Sequence, residues 1–567
     1  MRLVAAAGAP FGQRRAAAGG GGDTSALNAV LAGRDTRFYK GHYKKLTACI
    51  VLLLITSMTN GYDGSMMNGL QALNTWKTYF DNPQDKPTLF GVFNAIQNIG
   101  GLVGLPFAPY VSDMFGRRFC IFLGCVIMLG ATALQSAATN TGMFIAARGL
   151  IGFGLSFASV AAPVLITEIA FPTHRGPATS LYNSMWYLGS IVAAWTTYGT
   201  FRMNNNWGWR IPSILQGLPS IFQVFLIWFV PESPRWLVDH GKEDQAREVI
   251  AKYHCDNNYD DPLLDFEMNE IKDRIREDLE NKSTSGWKAM FTDKGNLRRL
   301  RIIIALAFFC QWAGNGLVSY YLTLILNGIG ITSAGHQTLI NGILQIYNWI
   351  LALLGASFVD RVGRRFLFLT STAGMCVSFI CWTICSATYA KSSTEFAPEC
   401  IAANPDNYST ACVALNGNKA AGNAVIAFIF LFYGFYDIAM TPLVVSYTVE
   451  ITPYRFRSKA LMLFQFSVSA SLTFNQYVNP IALDKIHWKY YIVFCVFLAF
   501  EVFYCYLFVI ETRGRNGALP LEEIAALFEG PGRYGFQKNP YENNRIDAES
   551  FHEAGSEKKR DHVEDSS

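Results

Sequence analysis

Asp63 is a carboxylate within an apolar segment, a position that suits proton chemistry. It lies in NGYDGSMMNG (60–69), which closes a long apolar run. An ionisable group inside a membrane is costly and therefore faces a cavity or a partner. Arg148, five residues into another apolar segment, is the natural partner, and Asp63 would bind and release a proton as the pair separates and forms. Alternatively, Asp63, with Gly61 and Gly64 beside it, caps the outer end of its segment or contacts headgroup water.

Amide and hydroxyl side chains inside other apolar segments form a second set. Because amides and hydroxyls both donate and accept hydrogen bonds, such a set can bind an uncharged polar ligand. For each residue alone, the alternative is an interhelical hydrogen bond that holds a helix bundle together. The candidate ligand-binding residues are Gln311, Asn315, Tyr320, Asn348, Asn183 and Asn475.

Membrane-spanning helices must position these side chains. The chain is 51% hydrophobic and 16% charged, whereas soluble proteins have roughly 25% charged residues. A span needs about 20 apolar residues. Windows of that length, numbered spans 1 to 12, occur at 46–68, 89–111, 119–138, 143–166, 180–200, 211–230, 302–326, 338–359, 366–388, 422–446, 460–482 and 489–510. The prediction is an all-α membrane protein with twelve transmembrane helices in two six-helix halves, 46–230 and 302–510.

The regions outside the two halves are polar. Residues 231–301 contain helical charge patterns such as KEDQAREVIAKYH, which predict a cytoplasmic linker with short amphipathic helices. Residues 1–45 lack the pattern of a secretory signal and predict a disordered cytoplasmic tail, with a transit peptide as the alternative. Residues 511–567 form a C-terminal cytoplasmic tail that is predicted to be disordered beyond about 531.

Lysine and arginine residues in the short loops predict the orientation. They follow spans 2, 4, 8 and 10, which assigns those loops and both termini to the cytoplasm. The loop between spans 9 and 10 is then outside, where Asn407 lies in a glycosylation sequon and where Cys400 and Cys412 could form a disulfide. Asn281 also lies in a sequon, but in the cytoplasmic linker, so we do not expect it to be modified.

Two short motifs recur in the two halves. SDMFGRR follows span 2 and VDRVGRR follows span 8, while a Glu-x6-Arg pair closes both span 4 and span 10. One copy alone could be a tight turn with positive-inside arginines, but two copies at equivalent places indicate a duplicated six-helix unit. The aspartates can cap a helix start and the arginines can bridge to glutamates at neighbouring helix ends. The predicted inner-gate network is Asp113, Arg117, Arg118, Glu168, Arg175, Glu232, Arg235, Asp360, Arg364, Arg365, Glu450 and Arg457.

Together these motifs resemble the sugar porters of the major facilitator superfamily. The paired GRR motifs, RGLIGFG (148–154), PESPRWL (231–237) and ETRG (511–514) carry the resemblance over about 45–530. The segments QWAGNGLVSYYL and LYNSMWYLGSIVAAW are most similar to the fungal lactose permease and cellodextrin transporter branch.

The resemblance implies a transporter in which one half rocks against the other. Asp63 and Arg148 match the proton-coupling pair of the family's proton symporters, and Gln311, Tyr320 and Asn348 fall on sugar-contact positions. The implied partners are a small-molecule sugar, a proton and the lipid bilayer. We expect a monomer in the plasma membrane.

Two departures from the hexose-porter pattern bear on substrate size. Span 5 has Asn183 where glutamine is common, and span 10 has Val445 where tryptophan is expected. Both changes enlarge the expected pocket, so the prediction is a proton-coupled symporter that imports a disaccharide such as lactose or cellobiose. The alternatives are a monosaccharide (hexose or pentose) or polyol porter, a facilitator without proton coupling, and a non-transporting sugar sensor on the same fold.

No sequence pattern indicates catalysis. A nucleophile elbow, a phosphate-binding loop and metal-ligand spacing are all missing, so we expect no enzyme activity, no cofactor and no metal. The net charge of +4 is too small to indicate a nucleic-acid partner.

Overall fold

The computed structural model describes residues 41, 43–281, 287–392, 417–453, 456–514, 517–518 and 528. The disordered tails predicted from the sequence lie almost entirely outside these residues. Asn407, Cys400 and Cys412 lie outside them as well. Glycosylation and disulfide pairing at those positions therefore stay predictions.

Six spans form the N-terminal half. Span 1 is Tyr43–Leu70, span 2 comprises Pro87–Gly104 and Phe107–Phe115, span 3 is Arg117–Ser136, span 4 is Thr141–Ile169, span 5 is Arg175–Thr200, and span 6 comprises Trp207–Leu215, Leu218–Leu226 and the 3₁₀ turn Ile227–Phe229. Span 2 bends by 47° between its two helices.

Six more spans form the C-terminal half. Span 7 comprises Lys294–Trp312 and Asn315–Gly328, span 8 is Ala334–Val362, span 9 is Arg364–Ser392, span 10 is Lys419–Ile451, span 11 is Arg457–Ile486, and span 12 is Tyr490–Phe508. Span 7 breaks at Gly314, whose φ of +107° suits a residue without a Cβ atom.

The predicted fold class is confirmed. Nine stretches of described helix are long and apolar enough to cross a membrane, and the bent span 2 adds a tenth. One of the nine, Lys459–Phe508, contains both span 11 and span 12. Span 5 is less apolar because it is rich in Ser, Thr and Tyr, but it packs along spans 1 and 8 within the bundle. Outside the helices, a two-residue hairpin pairs Arg513–Gly514 with Gly517–Ala518.

The two halves pack in corresponding ways. Span 1 packs on span 5 and span 3 on span 4, as span 7 packs on span 11 and span 9 on span 10. Between the halves, span 2 contacts span 11 and span 5 contacts span 8. Since spans 2 and 5 repeat as spans 8 and 11, the interface has the approximate twofold symmetry expected of a duplicated unit.

The linker contains four short helices, Pro234–Asp239, Glu243–His254, Pro262–Asn281 and Trp287–Thr292. The buried side chain of His254 attaches them to span 4. Its Nδ1 lies 2.8 Å from a carboxylate oxygen of Glu267, and its Nε2 lies 3.1 Å from the carbonyl oxygen of Ile169. The linker is therefore fixed to the last turn of span 4.

We call the end of the bundle next to this linker the linker end, and the opposite end the far end. Side-chain hydrogen bonds between the halves lie at the far end and at mid-depth. They join Asn68 to the carbonyl of Val318 (3.4 Å), Thr323 to the carbonyl of Asn68 (3.3 Å), Asn98 to Gln476, and Tyr187 to Asp437 (2.5 Å). The halves therefore meet at the far end, which the predicted orientation assigns to the outside.

Candidate functional site

Asp63 lies inside span 1 and is 0% exposed. Its Oδ2 accepts a hydrogen bond from Nε2 of Gln97 at 2.8 Å, and its Oδ1 accepts one from the side-chain amide of Gln216. Gln97 belongs to span 2 and Gln216 follows the first helix of span 6, so three elements meet at this carboxylate. The alternative that Asp63 caps a helix end or contacts headgroup water is wrong, because the side chain is enclosed by protein.

Arg148 reaches Asp63 through the amide of Gln97. Its Nη2 donates to Oε1 of Gln97 at 2.6 Å, and its Nε donates to the carbonyl of Phe93 at 3.1 Å. Within the described part of the chain, Nη1 of Arg148 has no hydrogen-bond partner. The structure therefore brings the predicted pair together, but the contact is an ordered carboxylate–amide–guanidinium relay instead of a direct ion pair.

The glycines beside Asp63 allow close packing between helices. A Cβ atom on Gly61 would lie 1.8 Å from the carbonyl oxygen of Trp186 in span 5, so only glycine permits this crossing. At Gly64, a Cβ atom would meet the ring of Trp186 at 3.4 Å and the ring of Tyr320 at 3.8 Å. Two aromatic rings, one from each half, thus lie next to the proton-binding candidate.

Three predicted ligand-binding residues gather where span 7 breaks. Asn315 begins the second helix of span 7 and donates to the Tyr436 hydroxyl at 3.1 Å. Asn475 in span 11 donates to the backbone carbonyl of Gln311 at 2.9 Å. The Asn475 amide lies 2.6 Å from where a Cβ atom at Gly316 would be. An amide from span 11 therefore occupies the space that a larger residue at 316 would need.

Two other candidates, Asn348 and Asn183, form no hydrogen bond with this cluster among the described residues. Asn348 in span 8 is buried, and its side-chain oxygen has no partner within the described part of the chain. Asn183 in span 5 is exposed. The structure thus gathers Gln311, Asn315 and Asn475 and sets Tyr320 beside Gly64.

Several polar residues at this depth were missed in the sequence. Tyr433 donates to the carbonyl of Asn315 at 2.9 Å, and Tyr436 donates to the carbonyl of Cys310 at 2.8 Å. Asp437 is a second fully buried carboxylate, and Tyr187 donates to it. The signal that singled out Asp63, an aspartate within an apolar run, applied equally to Asp437.

At the linker end, the N-terminal half has an intra-half charge network. Nε of Arg117 lies 3.1 Å from a carboxylate oxygen of Glu168, and Nη1 of the same arginine lies 3.4 Å from Asp113. The carboxylate of Glu232 accepts the backbone N–H groups of Arg117 and Arg118 at 3.1 and 3.2 Å. The N-terminus of span 3 is therefore capped by Glu232, and the expected cap by Asp113 is wrong, because Asp113 points to solvent with 75% of its side chain exposed.

The C-terminal half repeats this network. Arg364 contacts Glu450 through Nη2 at 3.1 Å and through Nε at 3.3 Å. Glu511 accepts the backbone N–H groups of Arg364 and Arg365 at 2.9 and 3.0 Å, as Glu232 does in the first half. Glu511 stands in the ETRG motif but was missing from the predicted network, because the duplication of PESPRWL by ETRG is not visible as a sequence repeat.

The second arginine of each GRR motif also has a repeated role. Arg118 donates to the carbonyl of Trp228 at 2.7 Å and lies over its ring, and Arg365 donates to the carbonyl of Tyr506 at 2.8 Å and lies over its ring. These arginines attach spans 3 and 9 to the last turns of spans 6 and 12.

The other members of the predicted gate have different surroundings. Arg175 donates to the carbonyl of Ala170 at 3.3 Å, within its own loop. Arg235 lies in the first turn of Pro234–Asp239, and Arg457 begins span 11. The side chain of Asp360 lies outside the described residues.

This arrangement combines a buried carboxylate with a set of polar side chains around the break in span 7. Gln97 joins Asp63 to Arg148 by hydrogen bonds, and Tyr320 of the other half lies beside Gly64, the residue after Asp63. The amides and hydroxyls around the break in span 7 can donate and accept at once, as a polyhydroxyl ligand requires. The charge networks lie within each half, so they can stay intact while the halves move as bodies.

Comparison with known proteins agrees with this architecture. The MFS-type transporter criB of Aspergillus cristatus is 27% identical over 85% of this chain and 93% of its own length. A high-affinity glucose transporter of Kluyveromyces lactis is 27% identical over 89% of this chain and 90% of its own length.

Solved structures of the xylose transporter XylE from E. coli have the same fold. The inward-open form has a TM-score of 0.66 at 21% identity and covers 85% of this chain and 99% of XylE. A structure of XylE as a proton:xylose symporter, bound to 6-bromo-6-deoxy-D-glucose, also has a TM-score of 0.66 at 21% identity and covers 86% of this chain and all of XylE. The sequence model of the sugar (and other) transporter family matches residues 48–528. The chain therefore belongs to the sugar (and other) transporter family and is a transporter, not an enzyme.

Proposed function

We propose that this protein is a proton-coupled sugar importer of the plasma membrane that carries a monosaccharide. The observation that carries the proposal is the relay from Asp63 through Gln97 to Arg148, fully enclosed in the N-terminal half. A buried carboxylate without a function would be costly. Here it lies beside a tyrosine from the opposite half, so its charge can affect the contact between the halves.

Coupling follows from the geometry of the relay. While Asp63 is ionised, Gln97 and Gln216 donate to it, and Gln97 presents its oxygen to Arg148. When Asp63 takes a proton, it needs fewer donors, so Gln97 can release Arg148. Each elementary charge that crosses the membrane supplies about 2.3 kcal/mol per 100 mV, which can drive the accumulation of sugar.

A monosaccharide is the first choice for two reasons. The K. lactis relative is named as a glucose transporter, and XylE is named as a xylose transporter. The polar cluster at the span 7 break is compact, since Asn315 donates to Tyr436, while Tyr436 and Asn475 donate to the neighbouring carbonyls of Cys310 and Gln311.

A disaccharide is the second candidate, because the hexose-porter pattern has a bulky tryptophan in span 10 where this chain has Val445, which is 40% exposed. This was the expectation from the sequence, and it stays a prediction.

Uptake of radiolabelled glucose, xylose, lactose and cellobiose should be measured in cells that lack their own sugar porters, with and without an uncoupler. We expect uptake of a monosaccharide against its gradient, and loss of that accumulation with the uncoupler. Asp63→Asn should abolish accumulation but retain exchange of labelled for unlabelled sugar, whereas Asp484→Asn, an exposed carboxylate on span 11, should behave as the wild type. Accumulation by Asp63→Asn would reject the coupling role. Surface expression without uptake or exchange of any sugar would favour a sensor, and uptake that never exceeds equilibrium would favour a facilitator.

A further inference from the structure

Asp437 lies at mid-depth in span 10 and is 0% exposed. Its Oδ1 accepts two hydrogen bonds, one from the Tyr187 hydroxyl at 2.5 Å and one from the Thr441 hydroxyl at 2.8 Å. Its Oδ2 is buried and has no hydrogen-bond partner within the described part of the chain. The mechanism above uses Asp63 in the other half and leaves this second carboxylate without a role.

Asp437 has no cationic partner among the residues that the structure describes. No described Lys, Arg or His side chain forms an ion pair with it. The titratable groups that face it are the tyrosines Tyr187 from span 5, Tyr347 from span 8, and Tyr433 and Tyr436 from its own span. Span 8 otherwise approaches through Gly355, which contributes no side chain. Burying an ionised carboxylate is costly unless it is paired and hydrogen-bonded. The ionised form of Asp437 is therefore stabilised by the hydroxyl groups that donate to it.

The two donors differ in which half they belong to. Thr441 is one turn along the same helix and stays with Asp437 in every conformation. Tyr187 belongs to span 5 of the opposite half, so it can donate only while spans 5 and 10 are together at this depth. A rocking motion that opens the far end would remove one of the two donors to Oδ1.

We infer that Asp437 is a second proton site of the transport cycle, controlled by Tyr187. This inference rests on the proposed sugar import. While the halves are closed at the far end, Tyr187 donates to the ionised carboxylate and the proton has left to water. When the halves separate at the far end, Tyr187 withdraws and a proton from the outside binds to a carboxylate oxygen. The ligand of the site is a proton, and the O–H bond that forms on one side of the membrane breaks on the other.

The ratio of charge to sugar tests this inference. Current and radiolabelled sugar uptake should be measured together in cells expressing each variant. The wild type should move about two charges per sugar, and Asp437→Asn about one, since one of two buried proton sites is lost. Glu501→Gln is the control for removing a buried carboxyl group from the C-terminal half. Glu501 is 0% exposed, and its helix, span 12, packs within that half among the described contacts. This variant should keep the wild-type ratio of charge to sugar.

Two variants that each remove one hydroxyl group distinguish a donor that leaves Asp437 during transport from a donor that stays. Tyr187→Phe and Thr441→Val each remove one donor to the same carboxylate oxygen. Tyr187→Phe should lower the ratio of charge to sugar toward one, because the number of hydrogen bonds to Asp437 then no longer changes between the two conformations. Thr441→Val should shift the pH dependence of uptake but keep the ratio, because this donor is present in both conformations. If Tyr187→Phe fails to reach the membrane, the charge ratios of Asp437→Asn and its control Glu501→Gln still decide the question.

The outcomes separate this inference from the proposed function. If the wild type transports no sugar, both fail. If the wild type accumulates sugar and Asp63→Asn does not, but Asp437→Asn keeps the wild-type ratio, only the second proton site fails. If Asp437→Asn raises the KM for exchange and leaves the ratio unchanged, Asp437 is a sugar contact and the inference is overturned.

Discussion

Gln97 donates a hydrogen bond to Asp63 at 2.8 Å, and the oxygen of the same amide accepts one from Arg148 at 2.6 Å. Span 2 therefore contributes the residue that joins the carboxylate of span 1 to the guanidinium group of span 4. Because both contacts involve an ionisable partner, they belong to the stronger class of hydrogen bonds.

Gln97→Leu should weaken proton coupling. It removes both contacts, and a hydrogen bond to a charged group contributes about 1.5–3 kcal/mol, so we expect accumulation to fall by about tenfold or more. Accumulation of labelled sugar in intact cells measures this. Gln71→Leu is the matched control, since Gln71 is also a buried amide and contacts Asn94, away from Asp63. Equal losses in both variants would contradict a specific role for Gln97.

Gly116→Ala should destabilise the linker end of the N-terminal half. Gly116 has a φ of +96°, and a Cβ atom there would lie 2.5 Å from the Glu232 carboxylate that caps span 3. A strained backbone of this kind costs about 1–3 kcal/mol, to which the clash adds. Thermal unfolding in detergent should show a lower Tm. Gly130→Ala, in span 3 with no neighbour within 4 Å of the new Cβ, should not lower it.

Glu232 should make stability depend on pH. Burial raises the pKa of Glu232 above its ordinary value of 4.5, although the backbone N–H groups of Ser233, Arg118 and Arg117 oppose the shift. Because the folded state then binds its proton more tightly than the unfolded state, this residue's contribution to stability is lost as pH rises from 4.5 through the raised pKa.

The comparison of wild type with Glu232→Gln measures that effect. Glutamine does not titrate, so the stability of the wild type relative to the variant should increase as the pH is lowered through the raised pKa of Glu232 toward 4.5. Thermal unfolding at several pH values is the measurement. A difference that stays constant, or that favours the wild type more at high pH, would contradict the assignment.

Val445→Trp should restrict the substrate to a single ring. A tryptophan buries about 150–250 Å² and would fill the space beside this exposed position. If the wild type carries a disaccharide, the second candidate substrate, we expect the variant to lose uptake of lactose or cellobiose and to keep uptake of glucose. Val496→Trp, at an exposed position of span 12, controls for the added bulk. Undiminished disaccharide transport in Val445→Trp would show that the ligand does not lie against span 10 here.

Epitope tags test the predicted orientation. A tag at Asn407 should be reached by antibody on intact cells, and a tag at Asn281 only after permeabilisation, because the arginine-rich loops are expected to be cytoplasmic. Digestion with a glycosidase should shift the mobility of the wild type but not of Asn407→Gln. Staining of the tag at Asn281 on intact cells would reverse the assignment.

The helices and the duplication were predictable from the sequence because their signals are local. Hydropathy over about 20 residues depends only on neighbouring residues, so nine of the twelve windows lie within the observed spans, and the other three, 119–138, 211–230 and 489–510, pass a span end by one or two residues. The GRR motifs likewise predicted that their arginines bridge to glutamates at neighbouring helix ends, and in the structure Arg117 contacts Glu168 and Arg364 contacts Glu450. The family resemblance indicated Asp63 and Arg148 as a pair.

The partners of these residues were decided by the tertiary structure. Gln97 carries no signal in its own segment, the ETRG motif does not show that Glu511 caps span 9, and nothing in the sequence places the Asn475 amide beside Gly316. Tyr187 and Asp437 are 250 residues apart and meet only because span 5 of one half lies against span 10 of the other. Composition determines that a segment enters the membrane, since that depends on each side chain's own transfer free energy. The rotation and crossing of the helices decide which polar groups form hydrogen bonds with one another. These are fixed only when all twelve helices pack.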